Sequence, residues 1–154
     1  MLIIRPFEAH DARAVSTLIR HTMRISNSAD YALERLQPLI AYFSPEKLLR
    51  LNKERICLVA ELDHHIIGTI AIEHDELVTF FVHPDYQRQG IGSALLSSIE
   101  DAAAAQGMTM LRVESSLTGL AFYEHNDYQR TGVEKEGTAG RQIVMEKEIE
   151  IARD

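Results

Sequence analysis

The sequence predicts an α/β (α+β) domain, in which one sheet carries helices on both of its faces. Three observations support this prediction. The chain has 154 residues, which is the length of one ordinary domain. Some segments alternate apolar and polar residues with a period of two, and others space their apolar residues as a helix does. These segments follow one another in the order β-αα-βββ-α-β-α-ββ, which is typical of layered α and β structure.

The first third of the chain is predicted to hold one strand and then helices. The elements are a strand at Leu2–Arg5, a helix at Ala9–Arg24 and a helix that begins near Asn27-Ser28. Pro38 is expected to kink or end the second of these helices, because proline has no N–H to donate. Ser44 predicts a further helix start, since its hydroxyl can accept from a free N–H and Pro45 suits the first helical position.

From Arg55 onwards the period changes and β-rich segments prevail. The predicted elements are strands at Arg55–Leu62, His65–Ile72 and Glu76–His83, a helix at Gly90–Gln106, a strand at Met110–Val113, a short helix at Leu117–His125, and closing strands at Tyr128–Val133 and Ile143–Glu148. Asp63-His64 joins the first two strands as a hairpin. Gly107 is a natural helix stop, and Gly137–Gly140 predicts the turn between the closing strands. No repeat or long linker divides the chain, so residues 1–154 are expected to form a single domain.

Composition and charge indicate which kinds of partner the protein can bind. The net charge is −7 and no run of Lys and Arg with interleaved aromatic residues occurs, so no nucleic-acid partner is predicted. The longest apolar runs are too short to span a bilayer, and the first residues fit no signal peptide, so no membrane partner is expected either. The single cysteine, Cys57, excludes an internal disulfide and is interpreted as a core thiol. These features predict a cytoplasmic protein.

A glycine-containing loop, Gln87–Ser93, lies between a predicted strand and a predicted helix. Glycines let the backbone approach a ligand closely, and the helix adds the partial positive charge of its N-terminus, so such a loop binds phosphate groups. A purely structural turn before a helix has a similar sequence. A dinucleotide-binding fingerprint would need a third glycine where Leu95 stands, and a P-loop would need Gly-Lys-Ser/Thr after four intervening residues. Both of these nucleotide-binding motifs are excluded.

The stretch from Phe80 to Leu96, with Gln87, Gly90 and Gly92 at its centre, resembles motif A of the GCN5-related N-acetyltransferases, the GNAT superfamily. A second segment, Ala121-Phe122-Tyr123-Glu124 with Tyr128, resembles a helix of the same family. Strands, hairpin and closing strands follow in the family's order, so the resemblance covers nearly the whole chain. It implies a mixed, mostly antiparallel sheet flanked by helices, and an N-acetyltransferase with acetyl-CoA as cosubstrate.

The resemblance also implies which residues bind the cofactor. Backbone groups of Phe81 and Val82 would bind the pantetheine arm where two parallel strands separate. Backbone amides of the loop would hold the pyrophosphate. The full set of expected cofactor-binding residues is Phe81, Val82, Gln87, Arg88, Gln89, Gly90, Ile91, Gly92, Ser93 and Ser116. The sequence departs from the family pattern at two places. Ser116 replaces a frequent asparagine, and Asp127 replaces a helix-ending glycine.

Two side chains are predicted to act in catalysis. Glu76 lies six residues before Val82, the offset at which histone-type family members place a glutamate base that works through water. His74 and Glu73 are alternative bases, and a mechanism without a dedicated base is a further one. Tyr123 matches the family's helix tyrosine, whose phenol can donate a proton to the departing thiolate. The Val82 N–H would stabilise the developing negative charge on oxygen. No metal constellation occurs among the histidines.

The acyl acceptor is expected to be a primary amine of a small molecule or of a peptide or protein, which attacks the thioester directly. It should lie near the first helices, where Tyr31, Thr22 and His21 are candidate lining residues. A non-catalytic acyl-CoA sensor is the alternative function. Such a sensor would keep the glycine loop but would not need Tyr123 or Glu76. A homodimer is an expectation taken from similar proteins.

Overall fold

In the described part of the chain, seven strands form one sheet in the order β1-β2-β3-β4-β5-β7-β6. The structure is a computed structural model, and it describes residues 1–26, 32–137 and 140–150. The strands are β1 Leu2–Pro6, β2 Ile56–Leu62, β3 His65–Glu73, β4 Glu76–Val82, β5 Met110–Ser115, β6 Gln129–Glu136 and β7 Arg141–Glu148. Their pairing is antiparallel except between β4 and β5. The predicted mixed, mostly antiparallel sheet is confirmed.

Five α-helices flank the sheet in the described part of the chain. They are α1 Ala12–Ile25, α2 Leu33–Tyr42, α3 Pro45–Leu51, α4 Ile91–Ala105 and α5 Leu120–His125. The predicted order placed two helices between β1 and β2, whereas the structure has three. The predicted helix start at Asn27-Ser28 lies outside the described residues. Pro38 does not end α2, which continues to Tyr42.

Two apolar cores lie on the two faces of the sheet. One packs α4 and α5 against the strands, with Leu95, Ile99 and Tyr123 among its buried members. The other packs α1, α2 and α3 on the opposite face through residues such as Ile19 and Leu36. Each helix packs one apolar face against the sheet, so its apolar residues recur in the sequence with helical spacing. Cys57 is 8% exposed, and burial raises the pKa of its thiol to about 11, as expected of a core cysteine.

Local signals in the sequence explain several of the element ends. Ser44 caps α3 by accepting from the Lys47 N–H at 3.2 Å. Asp63 and His64 both have positive φ, 48° and 67°, which is the geometry of a tight two-residue hairpin turn. Asp127, which stands where the family has glycine, has a φ of 72°. Aspartate tolerates this left-handed conformation, so the turn after α5 is kept.

Candidate active site between two separating strands

The site is organised by a gap between the parallel neighbours β4 and β5. The pairs that join these two strands are Glu76–Arg112 and Leu77–Val113. β4 runs on to Val82 and β5 to Ser115 beyond these pairs. The unpaired backbone on both sides of the gap is therefore available to a ligand that passes through the sheet.

A bulge in β4 accompanies the separation of the strands. Thr79 and Phe80 of β4 stand opposite the single residue Ile70 of β3. An extra residue of this kind bends the strand that carries it. Thr79 has a φ of 46°, a conformation that costs a β-branched residue on the order of 1–3 kcal/mol. Strained backbone of this kind tends to be retained at functional sites.

Backbone direction distinguishes Val82 from Phe81. The His83 N–H donates to the Ile67 carbonyl at 2.8 Å, and Val82 pairs with Gly68. Because backbone groups alternate sides along an antiparallel ladder, the Val82 N–H and C=O point away from β3 and toward the gap. Phe81 directs its backbone groups toward β3 and meets the site with its side chain.

The glycine loop ends at the first turn of α4. Gly90 is the N-cap residue, with a φ of 84°, and a Cβ placed on it would meet no atom within 4 Å. The Gly90 carbonyl accepts from the Ala94 N–H at 3.0 Å, which leaves the earlier N–H groups of the helix free, as at any helix start. A Cβ on Gly92 would lie 3.2 Å from the ring of Phe122. The loop therefore has an open space, free N–H groups and a helix N-terminus, which together fit a pyrophosphate.

The side chains of the loop have different surroundings. Gln87 donates through Nε2 to the Val82 carbonyl and to the Ser26 hydroxyl, both at 3.0 Å. Gln89 donates to the Asp85 carbonyl at 3.3 Å, so its side chain holds the loop itself. Arg88 is exposed with a φ of 63°. Gln87 thus connects the end of α1, the gap and the loop.

One cleft of about 760 Å³ collects most of the predicted site residues. Those that line it are Glu76, Phe81, Val82, Gln87, Arg88, Gly90, Gly92, Ser93, Ser116 and Tyr123. Gln89 does not line the cleft, and Ile91 packs into the core at 6% exposure, so only the backbone of these two residues can contribute. The lining comes from both faces of the sheet, because α1, α2 and α4 each supply part of it.

Glu76 stands at the start of β4 beside the gap. Burial raises the pKa of its carboxyl, and the nearby Glu114 raises it further, while Arg112 opposes both. Within the described residues its carboxylate makes no hydrogen bond and no ion pair. A half-buried, unpaired carboxylate with a raised pKa is a stronger base than an exposed one. Of the three candidate bases, Glu76 lines the cleft, whereas His74 is exposed in a turn and Glu73 is paired with Arg55.

Tyr123 reaches the cleft from α5. It is 7% exposed and packs edge-on against Phe80, with ring centroids 6.1 Å apart. Its hydroxyl has no hydrogen-bond partner in the described part of the chain, and burial raises its pKa. The neighbouring Tyr128 differs, because its hydroxyl donates to Glu100 at 2.9 Å. Of these two tyrosines, Tyr123 is therefore the one whose hydroxyl can donate to a ligand.

Ser116 lies between β5 and α5. Its hydroxyl accepts from the Gly119 N–H at 3.2 Å, so it caps the short turn that precedes α5. It also lines the cleft, and its hydroxyl can still donate to a ligand. Among the predicted acceptor-side residues, Thr22 lines the cleft. His21 instead lies against His83, with ring centroids 5.1 Å apart, and Tyr31 falls outside the described residues.

Several cleft residues were missed by sequence reasoning. They are Phe80, Phe122, Tyr42, Phe43, Gln142 and Arg55. The bulge turns Phe80 toward Phe122 and Tyr123. The adjacent aromatic residues Phe80 and Phe81 near the end of β4 were the sequence signal that could have identified Phe80 as a site residue. Gln142 lies on β7, and Arg55 is the residue before β2. Only the tertiary fold brings both residues to the cleft.

Neither a metal-binding cluster nor a membrane-spanning helix occurs in the described part of the chain. Across residues 1–26, 32–137 and 140–150, no group of three or more His, Cys, Asp or Glu could hold a metal ion. In the same residues no helix is long and apolar enough to cross a membrane.

Comparison with known proteins gives one family. A family model described as an acetyltransferase (GNAT) domain matches residues 27–149. An acetyltransferase of Yersinia pestis (strain Pestoides F) is 28% identical over 136 residues, which cover 82% of this chain and 86% of that protein. A GCN5-related N-acetyltransferase from Rhodopseudomonas palustris superposes with a TM-score of 0.88 at 21% identity, over 96% of this chain and 95% of that one. PaiA N-acetyltransferase from Thermoplasma acidophilum, solved in complex with coenzyme A, gives a TM-score of 0.84 at 23% identity. The superposition covers 96% of this chain and 99% of that one.

The structural likenesses show a shared fold, and the family model covers most of the chain. The separated strands, the glycine loop and the cleft that joins them fit the cofactor of this family. The chain therefore belongs to the GNAT superfamily, a family of N-acetyltransferases whose cosubstrate is acetyl-CoA.

Proposed function

We propose that the protein transfers an acetyl group from acetyl-CoA to a primary amine of a small molecule or a peptide, by direct attack of the amine on the thioester. The observation that supports this most is the single cleft that runs from the glycine loop, through the gap between β4 and β5, to the first helices. A cofactor held at the loop would present its thioester in the gap. The acceptor would approach from the side of α1 and α2.

Glu76 is proposed to take the proton that the amine must lose. An ammonium has no lone pair, and an alkylamine of pKa about 10 is mostly protonated at neutral pH. An unpaired carboxylate whose pKa is raised by burial can accept that proton directly or through a water. The C–N bond forms as the proton moves to Glu76, and the C–S bond breaks.

Two groups are proposed to stabilise the charge that develops. The Val82 N–H points into the gap and would donate to the thioester oxygen. Tyr123 would donate its phenolic proton to the departing sulfur, and the resulting phenolate would take up the second proton that the nitrogen loses as the amide forms. The raised pKa of Tyr123 keeps this proton in place over the whole pH range in which an amine is acylated. Among the residues that the structure describes, the Tyr123 hydroxyl has no hydrogen-bond partner, so no such hydrogen bond has to be broken.

The setting of the reaction is also part of the proposal. The one cysteine is buried, which agrees with a reducing compartment, and we place the protein in the cytoplasm. Residues 1–154 are proposed to act as one acyltransferase domain, because all seven strands share one sheet. A homodimer remains a prediction, to be checked by light scattering.

Cofactor binding gives the first test. At a hundred times its dissociation constant, a ligand stabilises a fold by about 2.7 kcal/mol, so acetyl-CoA is expected to raise the melting temperature by about 8 °C. NAD and ATP should raise it little. Turnover is then measured as release of free thiol with a panel of amines and peptides. A larger shift with ATP would contradict the assignment of the loop, and binding without turnover on the whole panel would favour the sensor.

The Glu76→Gln variant tests the proposed base. It removes the proton acceptor, so kcat/KM is expected to fall roughly tenfold or more at neutral pH. The loss should shrink toward alkaline pH, where the amine is already free. Because burial raises the pKa of Glu76, the acid limb of the wild-type profile should lie above the usual pKa of a glutamate, and this limb should disappear in the variant.

Asp75→Asn is the control for this experiment. Asp75 is adjacent in sequence, exposed, and not part of the cleft, and the substitution removes the same charge. Its pH–rate profile should keep the acid limb, moved slightly to lower pH, because the Asp75 charge contributes weakly to the raised pKa of Glu76. If the Glu76→Gln profile kept the acid limb as well, the proton would have to leave through bulk water, and Glu76 would have no role as a base.

A further inference from the structure

Arg55 is a buried cation in the cleft wall with unused hydrogen-bond donors. Its side chain is 8% exposed and lines the acceptor side of the cleft. One nitrogen, Nη2, donates to Glu73 at 2.9 Å. The other two, Nε and Nη1, are buried and have no hydrogen-bond partner among the described residues. Burying a charged group with unmade hydrogen bonds costs stability. The presence of such a group in the wall of a cleft indicates that a ligand supplies the missing hydrogen-bond acceptors.

Arg55, the residue before β2, stands at the end of a row of charged residues that crosses β3, β4 and β5. It pairs with Glu73 on β3, Glu73 stands opposite Glu76 on β4, and Glu76 stands opposite Arg112 on β5. Residues opposite one another in a sheet share a face. Arg55 and Glu76 are therefore two strands apart on the same face, with their Cα atoms on the order of 10 Å from each other. One small molecule can contact both.

The wall beside this row is apolar. α2 and the residue after it supply Leu36, Leu39, Tyr42 and Phe43 to the same cleft. This wall would contact an aliphatic or aromatic body more favourably than a polar one. The acceptor side thus combines a proton acceptor, a cation with free donors and an apolar surface.

We propose that the acyl acceptor carries a carboxylate as well as its amine, and that Arg55 binds this carboxylate while Glu76 receives the amine. This inference rests on the proposed function. A monoanion fits better than a phosphate dianion, because Glu73 and Glu76 are close by and repel additional negative charge. Because Nε and Nη1 are buried, binding of the carboxylate would require a local rearrangement of the cleft wall. The acceptor class is therefore an amino acid with an apolar side chain.

Kinetics with paired acceptors test the proposal. The acids are glycine, β-alanine, γ-aminobutyrate, leucine and phenylalanine, and each is compared with its own carboxamide. For at least one pair, kcat/KM for the acid should exceed that for the amide by about tenfold or more, as expected for a hydrogen bond between charged groups. Arg55→Met should bring this ratio close to one, and Arg55→Lys, which keeps the charge, should restore part of it.

Arg130→Met is the matched control. Arg130 also pairs with a glutamate, Glu124, but it is 52% exposed and does not line the cleft. The control should keep the wild-type ratio. Melting curves check that the Arg55 variants fold, which is expected because Glu73 is 44% exposed and can be hydrated when its partner is removed. Equal rates with acids and amides, or faster acetylation of diamines, would overturn the inference and leave the proposed function intact.

A binding measurement separates the inference from the proposed function. Hydrocinnamate and hydrocinnamamide are titrated calorimetrically into the protein saturated with coenzyme A. The acid should bind at least tenfold more tightly, and this preference should be lost in Arg55→Met. If no amine is acetylated but this preference is found, the proposed activity fails and the carboxylate site stands. If neither compound shows an Arg55-dependent difference, the carboxylate site is refuted.

Discussion

Replacing Tyr123 with phenylalanine is expected to lower kcat and kcat/KM together by roughly 100-fold, about 2.7 kcal/mol of barrier. The substitution keeps the ring that packs against Phe80 and removes only the hydroxyl. That hydroxyl has no partner in the described part of the chain, so stability and acetyl-CoA affinity should change little. An interaction made mainly in the transition state lowers both kinetic constants equally. Steady-state kinetics beside a melting curve measure these effects.

Tyr128→Phe is the matched control, because Tyr128 packs beside Tyr123 with ring centroids 5.6 Å apart. Its hydroxyl donates to Glu100, which also accepts from Lys147. Removing that hydrogen bond should cost about 1 kcal/mol of stability, or about 3 °C of melting temperature, and leave kcat nearly unchanged. The two variants should therefore show opposite patterns. A folded Tyr123→Phe protein with full kcat would make Tyr123 a packing residue.

The parts of the fold that the sequence predicted well are those governed by local chemistry. Ser44 and Pro45 begin α3 because a hydroxyl cap and a proline at the first position act within one turn. The Asp63-His64 turn joins β2 and β3 in two residues, and both residues have the positive φ of one of the two common hairpin turns. The glycine loop is also local, since it depends on Gly90 and on the helix that follows it.

Properties that depend on tertiary contacts were less predictable. Pro38 was expected to kink or end α2, yet the helix continues past it, because Leu36 and Ile40 on its buried face are held in the core with α1 and α3. The bulge at Thr79 depends on the register between β3 and β4, which no short segment encodes. Arg55 reaches the cleft only because β2 and β3 place it opposite Glu73. The predicted residues of the glycine loop therefore lie together in the cleft and stay a prediction as cofactor ligands, whereas much of the acceptor-side lining was not predicted.

Gly90→Val is expected to weaken acetyl-CoA binding by about 100-fold, which corresponds to about 2.7 kcal/mol. Gly90 has a φ of 84° and open space where a Cβ would stand. A valine there would both strain the backbone and occupy the space proposed for the pyrophosphate. The loss equals one or two charge-assisted hydrogen bonds of about 1.5–3 kcal/mol each. Calorimetric titration with acetyl-CoA measures the affinity, and a melting curve measures the cost of the strain.

Gly107→Val separates the two effects of this substitution. Gly107 follows the C-terminal end of the same helix, α4, with a φ of 85° and equally open space, but it does not line the cleft. Valine at either position should lower stability by a similar amount, on the order of 1–3 kcal/mol. Only Gly90→Val should lose affinity for acetyl-CoA, because only that residue precedes the free N–H groups of the helix start. If both variants bound acetyl-CoA as the wild type does, the loop would be a structural turn and the pyrophosphate would have to bind elsewhere in the cleft.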